Sequence, residues 1–181
     1  MTEEDTADEF DETVHLERGE NLLEIHLGNA RFSPEALGTL GDPDPSTFCT
    51  FAFYDYEIQS TAVVQGAHPA YNFTSQYLVR MDELLLQHLH TSTVAVETQL
   101  AEGLDYRTVA AGHLRLSQVL DRSGKVFGTL HLVGEYGYSL KILKSFSLSA
   151  DSTHLILAMC IDWKVLKGKP RLSALWTTGS G

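Results

Sequence analysis

Cysteine is nearly missing from this 181-residue chain: Cys49 and Cys160 are the only two, and they lie far apart without a Cys-x-x-Cys. That excludes a disulfide framework or a thiolate zinc cluster and leaves two buried free thiols as the expectation. Long apolar runs are missing too. The longest, Leu155 to Ile161, falls far short of the roughly 20 residues that a membrane-spanning helix needs. No basic stretch followed by an apolar run opens the sequence, so a soluble, intracellular protein is expected. Cations are scarce: 13 Lys and Arg stand against 24 Asp and Glu, a net charge of -11. Such a balance repels phosphate backbones and anionic bilayers, which excludes nucleic acid as a partner and disfavours membrane binding. Asn72-Phe73-Thr74 spells a glycosylation sequon, but without a secretion signal it reads as coincidence.

What is there is unevenly distributed. Met1 to Glu20 carries nine carboxylates against one Arg, whereas Ser139 to Gly181 carries six Lys or Arg against two Asp. Residues 1–18 hold too little apolar surface to offset the entropy of ordering them, so they are expected to form an acidic, disordered lead. The remainder, in a chain that is 43% hydrophobic, can bury one core.

The periodicity is that of strands. Asn21 to Leu27 alternates Leu23, Ile25 and Leu27 with Glu24 and His26. A Gly-, Pro- and Asp-rich loop from Gly28 to Ser46 follows, with one helical turn predicted at Ser33 to Leu37 by an N-cap Ser and a Pro behind it. Phe48 to Tyr54, Ile58 to Val64 and Phe73 to Val79 are rich in Thr, Val and aromatics and are predicted as three neighbouring antiparallel strands. Asp82 to Leu89 reads as a short capped helix, Thr93 to Thr98 and Thr108 to Leu116 as strands, Ser117 to Asp121 as a helical turn, and Val126 to Val133 as a further strand. Short strands separated by turn residues predict an all-β antiparallel sandwich with short helical insertions.

His68-Pro69-Ala70-Tyr71-Asn72-Phe73-Thr74 resembles the motif that leads into a strand in C2 domains, with His68, Pro69, Tyr71 and Asn72 as its fold-bearing positions. Together with Gly19 to Leu27, Thr47 to Glu57, Tyr71 to Val79 and Leu104 to Gly128, it is similar to the C2 region of the retinitis pigmentosa GTPase regulator-interacting protein family, which includes fantom. The resemblance implies a C2-type sandwich over residues 19–134. It further implies a protein-binding scaffold, associated with cytoplasm and cytoskeleton, at the ciliary transition zone and basal body region, which in retina is the photoreceptor connecting cilium. Partners would be ciliary proteins such as nephrocystin-4. The coiled coils and the regulator-binding domain of that family are not matched, so a fragment or short isoform is expected, and binding to the GTPase regulator is not. Glu135-Tyr136-Gly137-Tyr138 departs from the family's closing strand, which leaves residues 135–181 as a divergent basic tail with room for one added strand.

The ligand chemistries of C2 domains are poorly represented. Calcium takes six to eight oxygens, yet one loop offers only Asp42 and Asp44, and Val96 to Gly112 has Thr98 and Leu100 where alternating Asp is expected. Glu102 and Asp105 are out of spacing. Ile58 to Val79 contains no Lys or Arg for anionic headgroups. The reading is therefore a calcium-independent protein-interaction module, with a membrane-docking, phospholipid-binding C2 domain as the alternative. Phe51, Phe53, Tyr54 and Tyr56, taken as alternating along one strand, are the candidate protein-binding residues, against the plainer reading of core and cross-strand packing. No catalytic, cofactor or metal site is expected: His88-Leu89-His90 lacks a third ligand, Gly137 to Lys141 lacks the second Gly of a nucleophile elbow, and no phosphate loop is present.

Overall fold

The structure is a computed structural model that describes residues 16–121 and 125–150. The expected acidic lead lies almost wholly outside the described residues, as does the tail beyond residue 150.

Strand β1 (Glu20–Phe32) runs longer than its alternating core, and Leu23, Ile25 and Leu27 point inward with no exposure. Ser33 then stops the strand: its hydroxyl accepts from the Ala36 N–H at 3.1 Å and starts α1 (Pro34–Leu40), which Gly41 ends at φ 69°. The chain continues through β2 (Ser46–Phe51), the two-residue strands β3 (Gln59–Ser60) and β4 (Val64–Gln65), and β5 (Ala70–Arg80). Asp82 caps α2 (Glu83–Thr91) by accepting from the Leu85 N–H at 2.8 Å. There follow β6 (Thr93–Glu102), β7 (Asp105–Arg115), α3 (Gln118–Asp121), β8 (Lys125–Gly134) and β9 (Ser139–Ala150).

All strand pairs are antiparallel, in the order β3-β2-β6-β7-β8-β9-β1-β5, with β4 also on β2. β7 and β8 meet over only two residue pairs, Ala110 with Gly134 and Ala111 with Val133. This narrow junction divides the strands into two layers, β3-β2-β6-β7 and β8-β9-β1-β5, whose inner faces supply one core: Cys49, Phe51, Val96 and Leu114 from the first, Leu23, Ile25, Leu132 and Ile142 from the second.

Two sequence expectations change here. Ile58 to Val64 is not one strand: only its ends pair, leaving Thr61 to Val63 outside regular structure. Nor are all three runs neighbours: the first two do pair, β2 with β3 and β4 (Thr50 with Ser60, Thr47 with Val64), but the third, β5, pairs with β1 (Leu23 with Tyr77, Leu27 with Phe73), while the other side of β2 is taken by β6 (Cys49 with Thr98). β-propensity makes a segment extended but does not name its partner, which is chosen by the faces that close the core. Strand pairing also continues past Gly134, where β9 lies between β8 and β1 (His131 with Lys141, Leu27 with Lys144). Glu135 to Tyr138 is the turn that connects them, with the Gly137 N–H donating to Gly134 at 2.9 Å.

The His-Pro motif works at the start of β5. Pro69 is buried and its carbonyl accepts from the Ala30 N–H at 2.8 Å, while the Tyr71 hydroxyl meets the Thr47 hydroxyl at 2.7 Å in the interior, tying β5 to both layers. His68 is exposed. The β1–β5 register slips between Leu27 and Asn29, and opposite this bulge Asn72 adopts φ 43°. Asn tolerates that left-handed conformation and a β-branched residue does not. Asn72→Val is expected to lose roughly 1–2 kcal/mol, and Asn72→Gly to lose little, in urea unfolding of the two variants; equal stabilities for the two would refute the assignment of strain.

Candidate functional site

β2 ends at Phe51, so Phe53, Tyr54 and Tyr56 do not alternate along a strand as expected from sequence; they lie in the turn that leads to β3. The Tyr56 N–H donates to the Phe53 carbonyl at 3.0 Å, and Tyr54 sits at φ 53°. This reversal sends Phe53 inward with no exposure and leaves Tyr54 and Tyr56 at 42% and 36%. Phe51 is core, edge-on to Phe73 at 6.2 Å. Of the four candidates, then, two are packing residues and two are accessible.

The accessible pair belongs to a cluster with two residues that sequence reading missed. Phe53 stacks on Tyr56 at 5.9 Å and meets Tyr77 of β5 at 4.9 Å and His88 of α2 at 5.9 Å. Tyr56 also meets Tyr77, at 4.9 Å, and Tyr54 lies edge-on to His88 at 4.8 Å. The Tyr56 hydroxyl donates to the Leu78 carbonyl at 2.6 Å. Tyr77 is legible in the sequence only as a member of the predicted strand Phe73 to Val79; its place under this turn depends on contacts between separate segments.

Burial sets the electrostatics of the cluster. It pushes the Tyr56 hydroxyl above the ordinary tyrosine value, with the Asp55 carboxylate adding to the shift, and pulls His88 below the ordinary histidine value. The fold therefore favours neutral His88. In the window just below the ordinary histidine value the unfolded chain binds the proton first, so stability is complete above that window and declines as the pH falls through it. A proton NMR titration is expected to place the His88 midpoint below that of a free histidine, and a midpoint at or above it would contradict the aromatic packing.

The acidic loop residues are dispersed. The Asp42 carboxylate accepts from the Asp44 N–H at 2.9 Å, and Glu102 pairs with the Arg107 guanidinium at 3.0 Å. Val96 to Gly112 is the β6–β7 hairpin rather than an open loop, and both Thr98 and Leu100 are buried within it. Among the described residues no three His, Cys, Asp or Glu side chains gather where they could hold a metal ion. Cys49 is a buried free thiol whose pKa burial raises to about 11, against a smaller opposing hydrogen bond with Thr98. Cys160 lies outside the described residues. No helix among the described residues is long and apolar enough to cross a membrane.

The surface of the described residues includes two depressions. One, of about 230 Å³, lies beside Arg107, Tyr136 and Tyr138, near the exposed Leu104 and Tyr106 of the β6–β7 hairpin. The other is an open groove of about 500 Å³ between Tyr56, Glu57 and Gln59 on one side and residues 73–77 of β5 on the other.

Comparison with known proteins agrees with this architecture. A family described as the first C2 domain of RPGR-interacting protein 1 matches residues 13–146. X-linked retinitis pigmentosa GTPase regulator-interacting protein 1 of Mus musculus is 39% identical over 137 residues, 76% of this chain. Its Homo sapiens counterpart is 37% identical over 129 residues, 71% of this chain. The matches cover 10% of the length of each of these relatives. A solved structure of CC2D1B shares the fold at 15% identity, with a TM-score of 0.63 over 81% of this chain and 62% of that one. The sandwich is thus of C2 type, and the chain belongs to the family of the first C2 domain of RPGR-interacting protein 1.

Proposed function

We propose that the chain is a non-catalytic, calcium-independent protein-interaction module of a scaffold at the ciliary transition zone, with ciliary proteins such as nephrocystin-4 as partners. In this reading the folded unit extends from residue 19 through β9. The family match over residues 13–146 carries the proposal. Two further observations support it. The carboxylates of Asp42 and Glu102 are turned onto their own loop and onto Arg107, which leaves few oxygens to converge on a cation that takes six to eight. The turn at Tyr54 and Tyr56 presents amphipathic rings on a rigid support, a composition that suits protein interfaces. Binding to the GTPase regulator is not part of the proposal.

The experiment is capture of purified nephrocystin-4 by the immobilised chain, with calcium and with chelator. Equal capture in both is expected; no capture in either would sink the scaffold reading, and capture only with calcium would sink its calcium independence. The exposed Leu104, Tyr106 and Tyr136 favour a second reading, insertion of that end into a bilayer. Sedimentation with anionic vesicles separates the two, since the scaffold stays in the supernatant with or without calcium.

A further inference from the structure

The two layers are joined at β7–β8, and the opposite side, where the order ends in β3 and β5, is an open seam. The 500 Å³ groove lies in that seam, with Tyr56, Glu57 and Gln59 forming one wall and residues 73–77 of β5 the other. We propose that this seam is the docking groove for an extended, basic segment of a partner protein, which pairs with the free edge of β5. The proposal rests on the protein-interaction reading and adds the surface and the chemistry of what binds there.

The backbone of β5 supplies the first argument. Leu78 points its carbonyl away from β1, since that oxygen accepts the Tyr56 hydroxyl at 2.6 Å. Along an antiparallel strand both backbone groups of every second residue face the same side, so Thr74 and Gln76 turn their N–H and C=O outward as well. Among the described residues β5 pairs only with β1, and no backbone bond reaches this outer edge between residues 73 and 77. Natural sheets blunt such edges with Lys, Pro or a covering segment. Here Tyr56 covers Leu78 alone, and residues 70–79 contain neither Lys nor Pro. The open stretch of five residues is about 16 Å long, enough for a short added strand.

Charge chooses the occupant. No Lys or Arg lines the groove, the exposed Glu57 stands on its rim, and the chain carries a net charge of -11. An entering segment with Lys or Arg gains Glu57 as a counter-charge and the Tyr56 ring as a cation–π surface, whereas an acidic one meets repulsion.

The test uses the full chain and two fluorescent nonapeptides, one alternating Lys and Val, the other with Glu in place of Lys. Anisotropy is expected to show at least ten-fold tighter binding of the Lys peptide, with amide exchange at Thr74 and Gln76 slowed at least ten-fold. Glu57→Lys is expected to remove or invert the preference, and Gln76→Pro, which deletes an outward N–H, to abolish binding. Should Gln76→Pro fail to fold, Glu57→Lys alone decides. Binding unchanged in Glu57→Lys, or protection away from β5, overturns the proposal. It is equally overturned if the edge amides are slow without peptide and speed up on truncation after Ala150, or slow only as the chain self-associates, since the occupant is then residues 151–181 or a second copy. Nephrocystin-4 capture that survives in the absence of peptide binding leaves the scaffold reading intact and removes only the seam. Peptide binding at β5 without any capture does the reverse.

Discussion

Phe53→Ala is expected to cost about 3–5 kcal/mol and to lower the melting temperature by on the order of 10 °C. The ring has no solvent exposure and touches Tyr56, Tyr77 and His88, so its removal opens a cavity where the turn, β5 and α2 meet. Because none of these neighbours lies on the same regular element, the site cannot collapse without moving the turn. For a domain whose whole stability is about 5–15 kcal/mol, that is a large share. Urea unfolding measures it, and a loss below about 1 kcal/mol would mean that the turn does not close on β5 and α2. Tyr54→Asn is the contrast. It replaces a half-exposed ring held at φ 53° by a residue that accepts the left-handed region, and it is expected to stay within about 1 kcal/mol of the parent.

Gly112→Ala is the second large effect. A Cβ at Gly112 lies 2.5 Å from the His131 carbonyl oxygen and 3.2 Å from a Leu132 side-chain carbon. The first of these atoms is backbone of the adjoining strand, so the strain cannot be relieved by rotating a side chain. The contact adjoins the two residue pairs that hold β7 to β8, the only place among the described residues where a strand of one layer pairs with a strand of the other. Overpacking costs about 1–3 kcal/mol, and the upper part of that range is expected because the junction has no further pairs to share the strain. Amide exchange at Ala111 and Val133 is expected to accelerate in the variant. Gly128→Ala is the control: its Cβ meets nothing nearer than Lys144 Cε at 3.6 Å, and it is expected to be neutral. Wild-type stability for Gly112→Ala would show that the layers approach less closely at this point.

The aromatic turn shows where sequence reading stops. Alternation extended from Phe51 through Tyr56 assigns no face to any of the four candidates, and the strand ends at Phe51, which is core. Nothing in Phe-Ala-Phe-Tyr-Asp-Tyr announces a left-handed Tyr54, because aromatic residues avoid that conformation unless contacts elsewhere hold them in it. His88 was visible as half of a histidine pair without a third ligand, and its role as an edge contact to Tyr54 emerges only when α2 is laid beside the turn. The seam was not legible at all, since β3 and β5, though near in sequence, end different layers and face one another only once each layer has paired with its own partners.

Residue order alone was enough for whatever depends on near neighbours. Leu23, Ile25 and Leu27 lie inward because a strand alternates its faces every residue, and Ser33 and Asp82 cap helices because their side chains reach the next turn. The motif from His68 to Thr74, with its flanking strands, was enough for the family. Tertiary structure decided which strands are neighbours, that β9 is an interior strand rather than a loose addition, and which tyrosines meet solvent. The reason is that the hydrogen bonds between strands join backbone groups that are the same in almost every residue. Pairing is therefore chosen by the burial of whole faces and by the path of the chain, quantities that no short window of sequence contains.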